Sequence, residues 1–173
     1  MPDQVNGLPA HVLLVHAVVV LVPLCAVLLV AAALLPGARA RLGVFLPLLA
    51  AVCVALVPVT VSAGHWLHEQ IGEGDPLIER HEHLGEQLLP WTIALLAVSL
   101  VVWWRGRQTP VALPARDRER VTSGSRGEAT PGVLVQGVIA VLAVAVAVGS
   151  VVQVVRIGES GSKAVWQGVA DSR

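Results

Sequence analysis

Six histidines are the residues through which this chain could do chemistry. His11 and His16 open the first apolar run, His65 and His68 close the second, and His81 and His83 stand just before the third. Neutral imidazole ligates metals and haem and carries protons near neutral pH. Acidic residues gather beside them: Glu69, Glu73, Asp75, Glu79, Glu82 and Glu86 share the stretch after the second run with a single basic residue, Arg80. Zinc or copper could be held at such a cluster by imidazoles from several segments together with Glu69 or Glu82, the candidate ligands being His16, His65, His68, His81, His83 and those two carboxylates. A b-type haem would need only two imidazoles from different helices and an apolar pocket. A third reading gives the chain no cofactor and makes it a structural membrane subunit whose histidines meet water and carboxylates.

Spacing limits which histidines can cooperate. His11 and His16 are five residues apart, about 140° around a helix, so one face cannot present both to one ligand. His16 lies deeper in its run, where an ionisable group is a functional candidate by default. His65 and His68 share a face if the second helix continues that far. His81 and His83 diverge on a helix.

The elements that must position these residues are membrane helices. The 173 residues are 55% hydrophobic and 14% charged, where soluble domains carry about a quarter charged residues. Mean hydropathy is +0.73. Four runs are apolar on every face: residues 10–35, 44–64, 88–104 and 133–155. Each is near the about 20 residues needed to cross a bilayer, which predicts an all-α bundle of four transmembrane helices. The first run is too long for a signal core, and Met1–Pro9 carries Asp3 and no Lys or Arg, so it is expected to stay as a helix.

Alternation then puts all six histidines at one membrane face. Eight basic residues lie at the other end of the helices (Arg39, Arg41, Arg105, Arg107, Arg116, Arg118, Arg120 and Arg126), against Arg80, Arg156, Lys163 and Arg173 at the histidine end. By the positive-inside rule the arginine end is cytoplasmic and both termini lie outside. Trp66, Trp91, Trp103 and Trp104 fall at run ends, where interfacial anchors sit. Residues 105–132, rich in Arg, Ser, Gly, Thr and Pro, form a solvated cytoplasmic linker. Residues 66–85 make an outer loop, and Pro36-Gly37 a tight turn. His16 precedes Pro23 by the same interval as His83 precedes Pro90, which suggests a two-plus-two repeat.

Several classes are excluded. The chain has no phosphate-binding Gly-rich loop, no HExxH and no GxSxG elbow, so a hydrolase or nucleotide enzyme is not expected, nor is a nucleic-acid partner. Cys25 and Cys53, near mid-membrane, read as small packing residues.

Several segments resemble one family. These are Leu8-Pro9-Ala10-His11 through Val15-His16-Ala17 to Val22-Pro23-Leu24, then Val57-Pro58-Val59-Thr60 and Ser62-Ala63-Gly64. Arg80-His81-Glu82-His83-Leu84-Gly85-Glu86 and the stretch from Gly158 to Trp166 complete the set. Together they resemble the bacterial membrane proteins called "domain of unknown function 2231", a likeness that spans nearly all the chain except the Arg-rich linker. The resemblance implies four helices in the bacterial inner membrane and carries over His16 and His81, then His11. This chain departs from the pattern in having Val12 where relatives have proline after the first histidine. It also has His65 in place of an acidic residue and Glu159 in place of a histidine. Fusion of some relatives to Rieske-type domains implies an electron-transfer setting with a redox or other membrane-protein partner. The expectation is therefore one b-type haem near the outer face, with His16 and His81 as the axial pair and His11 or His65 as substitutes. External zinc or copper binding remains the alternative.

Overall fold

The computed structural model describes residues 4–5, 8–71, 75–108 and 131–170. A two-residue ladder, β1 (Gln4–Val5) against β2 (Leu8–Pro9), precedes six helices and leaves the class all-α. The helices are α1 (Ala10–Leu34), α2 (Pro36–Leu42), α3 (Phe45–Ile71), α4 (Pro76–Glu86), α5 (Leu88–Gln108) and α6 (Pro131–Ala170). Four segments are long and apolar enough to cross a membrane: Ala10–Leu34, Phe45–His68, Pro76–Gln108 and Gly132–Trp166. The protein is thus a multi-pass four-helix bundle. Large aliphatic side chains such as Val20, Val27, Val141 and Val148 face outward along these helices, the surface a bilayer would cover.

Four elements differ from the sequence expectations, the first being α3, which continues past residue 64 to Ile71 and so carries His65 and His68. The turn at Pro36-Gly37 is the short helix α2, ended by Gly43 in a positive-φ conformation (φ 48°) that glycine adopts without strain. The expected outer loop contains α4, because Asp75 caps its start by accepting from the Leu77 backbone N–H, with Pro76 at the first helical position. The fourth helix does not stop at Val155 but runs on through Gly158 and Gly161 to Ala170, packed along α4. Residues 109–130 of the expected linker lie outside the described residues, and α5 carries the helix through Arg107, whose guanidinium sits 4.6 Å over the Trp103 ring.

Packing reveals an internal repeat. Val18, Val22, Cys25, Leu29 and Ala32 are buried in α1, and their counterparts 70 residues later, Leu88, Thr92, Leu95, Ser99 and Val102, are the buried residues of α5. Leu46, Ala50, Cys53 and Val57 of α3 match Ala143, Ala147, Ser150 and Val154 of α6, each 97 residues on. The α1–α3 pair is thus echoed by α4–α5 with α6. Across the halves α1 packs on α6 and α3 on α5, as a pseudo-twofold axis between the parallel helices α1 and α5 requires. The equal His-to-Pro intervals at His16 and His83 are offset by 67 residues and do not mark this register.

Side chains satisfy the backbone where helices end. Arg39 donates to the carbonyls of Ala32 (3.0 Å) and Ala33 (3.1 Å), and Gln136 of α6 also donates to Ala33 (2.8 Å). At the α4–α5 break, Gln153 of α6, nearly fully buried, donates to the Leu84 carbonyl (2.8 Å). Gln153→Leu leaves that carbonyl without its side-chain donor and is expected to cost about 1–3 kcal/mol. A lower thermal midpoint in detergent checks this.

Candidate functional site

A cavity of about 800 Å³ opens at the histidine end of the bundle, where α1, α3, α4 and α6 meet. Its size is that of a small-molecule site, about 300–1,000 Å³. Val15, Val18, Val57, Leu88 and Val154 supply apolar wall, while His11, His16, His65, His68 and His81 all line it. Five of the six histidines therefore share one space.

His11 and His81 form its centre. Their ring centroids are 6.4 Å apart with planes at 84°, and they come from the two halves of the repeat at equivalent positions. Each ring lies on a glycine. A Cβ on Gly64 would stand 3.0 Å from His11 Cε1, and one on Gly161 would stand 3.0 Å from His81 Cε1. Gly64 and Gly161 are themselves repeat equivalents, so the sequence supplies two matched cradles for two matched rings.

The hydrogen bonds fix the protons. His11 Nδ1–H donates to the Thr60 carbonyl (3.0 Å), an acceptor only. His81 Nδ1–H donates to Ser160 Oγ (2.9 Å), whose hydroxyl is committed to the Ile157 carbonyl (2.8 Å). His16 Nδ1–H donates to the Val12 carbonyl (2.6 Å) and His68 Nδ1–H to Glu82 Oε1 (3.0 Å). In the neutral tautomer so imposed, Nε2 of each ring is a bare lone pair. Tying off Nδ1 on a carbonyl, hydroxyl or carboxylate is the arrangement that orients ligating histidines. The Nε2 of His68 is buried without a partner, and the His81 ring also bonds the Ile157 backbone, the repeat equivalent of the Thr60 carbonyl that holds His11.

The remaining candidates are peripheral. His83 lies two positions beyond His81, on the opposite side of α4, and accepts from Gln87 Nε2 (2.9 Å) outside the cavity. His65 is half exposed and 3.7 Å from Glu86. His16 is exposed, its ring folded back on its own helix, so the partner that His81 finds is His11 and not His16. The side chain of Glu69 lies outside the described residues. Among the described residues no three His, Cys, Asp or Glu side chains converge to hold a metal ion. The one contact between histidine rings among the described residues is His11 with His81, while His68 and His65 approach Glu82 and Glu86.

The two walls of the cavity are not identical. His68 and Glu82 of one wall correspond under the repeat to Val165 and Val12 of the other. Thr60, Ser160, Gly64 and Gly161 stand in the segments that carry the resemblance but were assigned no part in the site, though the repeat offsets of His11/His81 and Gly64/Gly161 were a signal that could have found them.

Fold and site together define a multi-pass membrane bundle with an imidazole-lined apolar cavity at one end. No family model matches the chain, and neither a curated protein nor a solved structure does.

Proposed function

We propose that the cavity takes one b-type haem, which His11 and His81 would hold, and that the protein is an electron-transfer subunit of a bacterial inner membrane. The carrying observation is the paired imidazoles, each with Nδ1 tied off and Nε2 left bare, on the wall of an apolar space. Two converging imidazoles suffice for haem, because the macrocycle supplies the other iron ligands, whereas protein zinc sites draw on three or four side chains. When bound, such a group supplies one-electron redox chemistry.

The protein's own residues do the rest. Gly64 and Gly161 let the rings seat against α3 and α6. Thr60 and Ser160 set the tautomer, and the valines exclude water. With the arginine end cytoplasmic, the cavity opens toward the outside. The opposite end of the bundle has no histidine, so one haem here would exchange electrons at the outer face alone.

Titrating the purified, detergent-solubilised chain with haemin tests this. A Soret band saturating at one equivalent is expected; a titration without saturation overturns the reading. Ser160→Ala, which loosens His81 without removing it, is expected to weaken haemin binding about 10-fold or more, and the same titration measures it.

A further inference from the structure

A second cavity, of about 360 Å³, is lined by residues of α4 and α6. Arg156, Ser160 and Lys163 line it from one face of α6, and Arg80 from α4. Glu159 is its one acidic residue, so three cations face a single carboxylate. None of the ion pairs among the described residues uses Arg80, Arg156 or Lys163. These three are also every basic residue that the described histidine end possesses, and the fold draws them from distant positions into one pocket.

Their depth is equally informative. Arg156 stands one residue past the apolar run 133–155, the level where the hydrocarbon gives way to headgroups. Leu77 and Leu84 add an apolar flank on α4. Guanidinium forks match phosphate oxygens bidentately, and an ammonium adds a compact point charge. A lipid offers this pocket a phosphate for the cations and glycerol and acyl carbons for the leucines.

We propose that this pocket binds a phosphate group, presented by an anionic phospholipid headgroup or by free phosphate. The phosphate site rests on its own observations and its cations play no part in the haem reading, although Ser160, the partner of His81, also lines this pocket.

The test uses the full chain in detergent, probed with phosphatidylglycerol, phosphatidylcholine and inorganic phosphate, with bound lipid counted by native mass spectrometry. Saturable phosphatidylglycerol binding is expected, weakened at least about tenfold (about 1.4 kcal/mol) in Arg80→Gln/Arg156→Gln/Lys163→Gln and unchanged in Arg41→Gln at the other end. Displacement by millimolar inorganic phosphate identifies free phosphate as a ligand of the same site; failure to displace identifies the headgroup as the ligand. Equal affinity in the triple variant, equal binding of phosphatidylcholine, or no saturable binding of either phosphatidylglycerol or phosphate overturns the proposal. If the triple variant does not fold, Glu159→Gln decides. Removing that carboxylate is expected to tighten binding about two- to threefold, and unchanged or weaker binding overturns the site.

Discussion

His81→Ala is expected to abolish the Soret band that the wild-type chain develops with haemin, and His11→Ala to do the same. The loss exceeds the about 10- to 100-fold expected for removing an outer partner, because a ligand itself is gone. His83→Ala is expected to leave the titration unchanged, since that ring lies outside the cavity and pairs with Gln87. His16→Ala discriminates more sharply. Its ring borders the cavity but is bonded to its own helix at Val12, so it too should leave the band intact. Loss of the band in His16→Ala with retention in His11→Ala would transfer the axial role to His16. Retention in both His11→Ala and His81→Ala would remove haem from the account. Protein yield and the thermal midpoint, read alongside, separate a missing ligand from a misfolded bundle.

Gly149→Ala is expected to destabilise the bundle by about 1–3 kcal/mol, the range for forcing a methyl into an occupied contact. The sign is the informative part. Glycine to alanine within a helix ordinarily gains up to about 1 kcal/mol. Here a Cβ on Gly149 would fall inside the ring of Trp91, which crosses from α5 onto that glycine. Either the indole leaves or the two helices separate. Thermal unfolding in detergent measures the loss. Combining it with Trp91→Ala should cost less than the two single changes added together, because both disrupt one contact. Additive costs would show that the indole does not rest on Gly149.

The four spans were legible because charge-free runs of Leu, Val and Ala have no stable alternative to a bilayer-crossing helix. The elements beyond the hydrocarbon were less so. α4 was masked by the glycines at 72 and 74, although Asp75-Pro76 is a helix start written in the sequence. The extension of α6 was masked by Gly158, Ser160, Gly161 and Ser162, which locally favour a helix end; packing against α4 overrides that preference. The site was legible as a neighbourhood, since five of the six histidines line one cavity. Which rings pair was not, because that depends on how each helix is rotated about its axis. The rotation is set by where Val18 and Leu88 are buried and by which backbone leaves room for a ring.

A cavity astride a twofold axis carries an ambiguity, since any flat guest could slide in right way up or turned over with equal comfort. The two halves have drifted apart along the lining: where one wall keeps His65, His68 and Glu82, the other has Ser162, Val165 and Val12. Such divergence would give a guest a preferred handedness of insertion and turn a duplicated scaffold into an oriented one.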